Sequence, residues 1–288
     1  MEKNRIGEIR FTTVPVYRQL KPTVPPLHLS PSSIAIFKQC QQCYKFLYID
    51  KLGEQYGKPR PYFTMANHVH ATLRDFMSLQ PVKLRTVASI EDLLRRNWQR
   101  YHVGFRDRYD ELRWAKRALA QLGAFVNTQD VTAQPIMMEE PVEAEISAGL
   151  VLRGRIDRVD REPDGSLHLL DYKTGNPPHE TDWEQLELHA LILSKRLPWP
   201  ISKMSYLYLR TSSMETTMMS LEGLRQVHWR VLNTARKIRR EKQFRPRPGL
   251  WCGNCDFIPI CSSKSEAEPL AAASEQLELW DNSGYDWG

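Results

Sequence analysis

Two apolar, β-prone segments flank a turn signal within residues 151–174, VLRGRIDRVDREPDGSLHLLDYKT. In Glu162-Pro163-Asp164-Gly165, proline suits the second position of a type I turn, and glycine suits the left-handed residue that closes a three-residue hairpin loop. Taking Pro163, Asp164 and Gly165 as the loop pairs Glu162 with Ser166. Counting back along both strands then sets Asp157 opposite Asp171. Because side chains alternate along a strand, Asp157, Asp171 and Lys173 share one face.

The pattern elsewhere alternates between helix and strand. Ser30-Pro31-Ser32-Ser33 is a helix start, with a serine N-cap ahead of an apolar-periodic run through Phe37, Tyr44, Phe46, Leu47 and Tyr48. Residues 62–128 are helical in pattern, and residues 135–151 bring a strand in beside the hairpin. Thr181 to Leu193 forms an amphipathic helix, followed by strands over 203–209 and 214–221 and a basic helix over 224–242. Ahead of these, residues 1–27 form an arm with 8–17 as one strand, and the stretch 21–31 carries four prolines (Pro22, Pro25, Pro26, Pro31) that preclude a regular helix through it. Helices interleaved with strands predict an α/β fold with a mixed sheet.

No apolar run in the 288 residues is long enough to span a bilayer, and MEKNRIGEIRF lacks the apolar centre of a secretory signal, so a cytoplasmic protein is expected. The formal net charge is +6. From Lys264 onward, one lysine stands against Glu266, Glu268, Glu275, Glu278, Asp281 and Asp286, which leaves the preceding body still more basic. A basic body favours a polyanionic partner. The arginines at 95, 96, 100, 106, 108, 113 and 117, with Lys116, are candidate phosphate contacts, although Glu91, Asp92, Asp107, Asp110 and Glu111 offer them partners in an ordinary solvated helix.

The hairpin supplies the first candidate chemistry. Opposed side chains on a sheet have Cβ atoms roughly 5 Å apart. Two carboxylates that close repel unless a cation neutralises them, and Mg²⁺ or Mn²⁺ suits oxygen ligands. Lys173 can then hold a hydroxide or a developing phosphorane charge. The competing reading pairs Asp157 with Arg155 or Arg158, and Asp171 with Lys173, as ordinary charges on a solvated face.

GRIDRVD, LLDYKTG and the following Gln185-Leu186-Glu187-Leu188-His189-Ala190 resemble the RecB-like branch of the PD-(D/E)XK nuclease superfamily. In that branch two acidic motifs and a lysine precede a helix carrying Gln and usually Tyr four apart; here the pair is Gln185 and His189. MANHVHATLRDF, residues 65–76, resembles the family's first motif, in which a helix carries a metal-binding histidine. His70 has the matching spacing to Leu73 and Phe76, whereas His68 should point elsewhere. SPSSIAIFKQCQQCYKFLYIDKL resembles the N-terminal signature, with Cys40 four before Tyr44.

The resemblance implies a restriction-endonuclease-like mixed sheet flanked by helices. Its domain spans 28–262, with a helical insertion over 65–130 and a catalytic core over 135–245. It implies that His70, Asp157, Asp171 and the Tyr172 carbonyl bind Mg²⁺ or Mn²⁺, and that Lys173, Gln185 and His189 belong to the catalytic group. It further implies a DNA substrate (single-stranded or duplex ends), exonuclease action and a role in repair, recombination or related processing. The rival class is an inactive DNA-binding or scaffold subunit of a helicase–nuclease complex, which has no reason to keep Asp157, Asp171 and Lys173 together. No G-x-x-x-x-G-K-[ST] motif occurs, so any unwinding falls to a partner helicase.

Cys252, Cys255 and Cys261 form C-x2-C-x5-C. Clustered cysteines in a cytosolic protein favour metal over disulfides, and a cluster or structural zinc usually takes four ligands. The fourth is Cys40 or Cys43. Several RecB-like nucleases, including the AddB-type and CRISPR-adaptation enzymes, carry one N-terminal and three C-terminal cysteines around a 4Fe-4S iron–sulfur cluster. That resemblance implies Cys40, Cys252, Cys255 and Cys261 as ligands, with Cys43 a spare or substitute and Zn²⁺ the alternative metal.

Residues 263–288 read as a disordered acidic tail. Within it Gln276, Leu277, Glu278, Leu279 and Trp280 resemble the short motif with which bacterial proteins dock on the sliding clamp, against the alternative of a chance apolar cluster.

Overall fold

The computed structural model describes residues 25–281, with side chains described to Ser274. The expected strand over 8–17 lies outside the described residues. Strand β3 (Leu150–Arg161) is the axis of a six-stranded mixed sheet. Strand β2 (Met137–Ser147) runs antiparallel along one edge of β3, from Val159 back to Leu150. The other edge is shared. β1 (Leu27–Leu29) pairs in parallel with Leu150–Leu152, and β4 (Leu167–Lys173) pairs antiparallel with Arg158–Arg161. Between these partners β3 is open on that side. Beyond β4 lie β5 (Ile201–Tyr208), parallel to it, and β6 (Ser213–Met218) at the edge.

The hairpin register matches the turn chemistry. Arg158 pairs with Leu170 and Arg161 with Leu167, and the Glu162 N–H donates to the Ser166 carbonyl at 2.9 Å. Gly165 takes φ +85°, the left-handed conformation assigned to it.

Helix α1 (Pro31–Gln39) begins as expected. Ser30 Oγ accepts the Ser33 N–H and Ser33 Oγ accepts the Ser30 N–H, a reciprocal cap. The run does not continue as one helix, because Cys40 is extended and a second short helix, Gln41–Tyr44, starts after it. The helical insertion resolves into α2 (Pro61–Met77), α3 (Val87–Trp98) and α4 (Arg108–Thr128), the last two capped by Thr86 and Asp107 side chains. Helices α5 (Glu184–Arg196) and α6 (Leu221–Arg240) follow β4 and β6. Two cores result, one on each sheet face. Leu152, Ile156, Leu169 and Tyr206 pack with α5 and α6 on one face. On the other, Tyr172, Leu207 and Leu209 pack against Val69, Leu73, Leu122 and Phe125 of α2 and α4.

Residues 264–281 form helix α7, so the expectation of a disordered tail is corrected over that span. Glutamate, alanine and leucine are strong helix formers, and α7 is held by tight contact: a Cβ placed on Gly253 would lie 2.6 Å from Ser274 Oγ. The side chains of Gln276, Leu277, Leu279 and Trp280 lie outside the described residues. No helix of the described residues is long and apolar enough to cross a membrane.

Candidate metal centre and active site

The site lies where β3 opens. Asp157 is the first β3 residue past the β4 ladder, and its Oδ2 accepts the Tyr172 N–H at 2.8 Å. A side chain thus satisfies a backbone donor that the parting strand leaves unpaired. Asp157 and Asp171 are only 7% and 2% exposed, so neither lies on a solvated face.

A residue absent from the sequence reading completes the group. Glu139 is buried, adopts φ +51° and lies in β2 across from Asp157. The left-handed residue interrupts alternation and turns Glu139 inward, leaving Glu140 exposed. His70, brought in by α2, places Nδ1 2.7 Å from Glu139 Oε1 and 3.5 Å from Asp157 Oδ2. Ligand atoms of His70, Glu139 and Asp157 lie within 4.8 Å of one another, and among the described residues no other group of histidine, cysteine and acidic side chains gathers so closely. Burial opposes a charge on His70, but the Asp157 and Glu139 carboxylates outweigh it and hold its pKa well above the usual histidine range. An imidazole with several carboxylates is a donor set that suits a divalent cation.

Asp171 sits beside this trio. Its Oδ1 lies 2.8 Å from Lys173 Nζ, its Oδ2 accepts from Gln185 Nε2 at 2.9 Å, and Gln185 Oε1 accepts from Lys173 Nζ at 2.9 Å. Lys173 Nζ also stands 5.1 Å from the centre of the Tyr206 ring. Burial pushes Asp171 above the usual carboxylate range despite Lys173, and the Asp157 charge adds to that push. Gln185 therefore holds the acid and the lysine in one closed triangle.

A family model for the PD-(D/E)XK nuclease superfamily matches residues 28–262. The chain belongs to the PD-(D/E)XK nuclease superfamily. No curated protein matches the sequence. Among solved structures, SSO0001 is 14% identical with a TM-score of 0.41, covering 82% of this chain and 86% of that one. A candidate exonuclease from Eubacterium rectale is 11% identical with a TM-score of 0.46, covering 74% and 80%.

In this superfamily member two histidines take structural positions. His68 is buried, stacks between Trp98 and Tyr101 and meets the Tyr101 carbonyl at 3.1 Å. His189 is buried too, seated on Gly154, where an added Cβ would come within 2.7 Å of its Nε2. Burial lowers its pKa to about 4. The Asp171 carboxylate acts on it in the opposite sense, which sets His189 within electrostatic reach of Asp171.

The five cysteines are free thiols and line one cavity of about 190 Å³, bounded also by Phe46, Trp251 and Phe257. Cys43 and Cys255 hydrogen-bond, which raises Cys43 and lowers Cys255 to about 7, toward thiolate. Cys43 thus lies beside Cys255 of the C-terminal triplet. Gathered thiols with one poised to ionise suit a thiophilic metal or cluster.

Proposed function

We propose that this superfamily member is a divalent-metal-dependent deoxyribonuclease of the RecB-like branch, acting as an exonuclease on DNA ends. The observation that carries the reading is the convergence of His70, Glu139 and Asp157 beside the Asp171–Lys173 pair. His70, Glu139, Asp157, Asp171 and the Tyr172 carbonyl would hold Mg²⁺ or Mn²⁺. Such an ion, when bound, lowers the pKa of water and neutralises charge on the scissile phosphate. Lys173 orients the attacking water or stabilises the negative charge that develops on the phosphate. Gln185, bonded to both, fixes Lys173 relative to Asp171. His189, uncharged and buried, lies within electrostatic reach of Asp171.

The reading extends to a 4Fe-4S cluster on Cys40, Cys252, Cys255 and Cys261, a clasp joining the two ends of the domain. Cys43, hydrogen-bonded to Cys255, is the competing ligand. A helicase and, through Gln276–Trp280, a sliding clamp are the proposed partners.

The test is a cleavage assay on DNA labelled at either end, single-stranded, duplex and circular, with Mg²⁺ or Mn²⁺. Exonuclease action predicts release from one end and intact circles. DNA binding without cutting under any of these conditions would replace the enzyme by the scaffold reading. For the cluster, protein purified without oxygen should be brown, with stoichiometric iron and sulfide. Colourless protein with one zinc would convert the cluster into a zinc clasp.

A further inference from the structure

Helix α4 carries a row of side chains at i, i+4 spacing, Tyr109, Arg113, Arg117 and Gln121, that descends about 18 Å toward Lys173. Its lower end is anchored at the catalytic strand, since Gln121 Nε2 donates to the Thr174 carbonyl at 2.8 Å. Arg210 joins the row from the end of β5, directly after Leu209, whose N–H donates to the Lys173 carbonyl at 2.8 Å. The strand end that bears Lys173 is therefore flanked by both Gln121 and Arg210.

The basic residues of this region divide into two kinds. Arg95 pairs with Glu91 and Asp92, Arg106 and Arg113 with Asp110, and Arg108 with Glu111. Arg117 differs from these. Among the described residues no carboxylate pairs with it, and its guanidinium lies over the Trp114 ring at 4.6 Å. Burial lowers its pKa, and the neighbouring Arg210 and Arg113 cations lower it further. A half-buried cation with cationic neighbours is unfavourable in the free protein and is relieved by a polyanion. One helical turn above Arg113, Tyr109 is 82% exposed. An exposed ring in line with cations is the pattern that binds single strands, by base stacking and phosphate contact.

We propose that Tyr109, Arg113, Arg117 and Arg210 form a track that guides a single DNA strand to Lys173. The track rests on the nuclease reading and names the form in which that site receives its substrate. Arg117 and Arg210 bind the phosphates nearest the scissile bond, and Tyr109 stacks a base farther out.

The experiment measures binding of a labelled oligo(dT) and of a duplex to full-length protein carrying Lys173→Ala, which removes cutting, between about 50 and 200 mM salt. The parent should prefer the single strand. Arg117→Gln and Arg210→Gln should each weaken binding and flatten the slope of log affinity against log salt by about 0.7. Arg117→Lys should keep the slope, Tyr109→Ala should weaken binding several-fold with the slope kept, and Arg95→Gln should change neither. An unchanged slope in both Gln variants, an equal loss in Arg95→Gln, a duplex preference or no binding by the parent overturns the track. Metal-dependent cutting by the wild type with an unchanged slope would overturn the track alone. An Arg117-dependent slope in a protein that never cuts would sink the nuclease reading and leave the track standing.

Discussion

The Asp157 carboxylate accepts the Tyr172 backbone N–H at 2.8 Å, at the point where β3 and β4 part. One side chain closes the sheet and faces His70 at the same time. The two roles separate by substitution. Asp157→Asn keeps an oxygen for Tyr172 and loses the charge, so it should fold with near-parental stability and lose metal-dependent cleavage. Asp157→Ala should lose about 1–3 kcal/mol more, the cost of an unmade buried hydrogen bond. Urea denaturation beside a cleavage assay separates them; equal stability of the two variants would remove the structural role.

Glu139 also carries two burdens, a ligand oxygen and a left-handed backbone at φ +51°. Glu139→Gly and Glu139→Ala should both weaken Mn²⁺ binding in calorimetric titration, by tenfold or more if the carboxylate is a ligand. Glycine should be the more stable of the two by about 1 kcal/mol, since it adopts this conformation without strain. Parental Mn²⁺ affinity in either variant would exclude Glu139 from the metal group.

Gly154 makes room for His189, whose ring atoms would lie 2.7 and 2.8 Å from an added Cβ. Gly154→Ala should therefore cost about 1–3 kcal/mol by overpacking. Adding His189→Ala should recover part of that loss, a non-additivity read by a double-mutant cycle. Strict additivity would mean the two positions do not touch.

Stability should fall on mild acidification partly through His168, whose pKa burial and Lys203 lower to about 4. Its Nε2 meets Ser205 Oγ at 2.7 Å, beyond the reach of bulk water. The unfolded chain binds a proton near the ordinary value of about 6.5, whereas the folded chain resists protonation. This contribution is complete above that value and is lost as pH falls toward about 4. Denaturation midpoints of His168→Gln should decline less between those limits than those of the parent; parallel declines would assign the acid sensitivity to other groups.

The hairpin and its register were legible because Pro163 and Gly165 fix a turn, and a turn fixes every pair behind it. Lys173 and Gln185 followed from that register and from resemblance. Glu139 was hidden because MMEEPVEAEIS reads as a strand with solvent-facing acids. The available signal was that apolar Val142, Ala144 and Ile146 set a phase that puts Glu140 inward, an unlikely place for an acid. The left-handed residue at 139 resolves the conflict by exchanging the two glutamates. Helix α7 was misjudged because acidity outweighed helix propensity, and its contact with Gly253 is tertiary and leaves no mark in the local sequence. The positions of His189 and Cys43 likewise depend on packing partners far along the chain.

Cleavage of end-labelled DNA by wild type, Asp171→Ala and Lys173→Ala, with Mg²⁺ or Mn²⁺ and again with chelator, is the most direct measurement. The Asp171–Lys173–Gln185 triangle beside the His70 group predicts metal-dependent cutting by the wild type, no cutting with chelator, and loss of at least a hundredfold in both variants with DNA binding retained. Wild-type-level cutting by Lys173→Ala, or cutting that persists in chelator, would contradict the account.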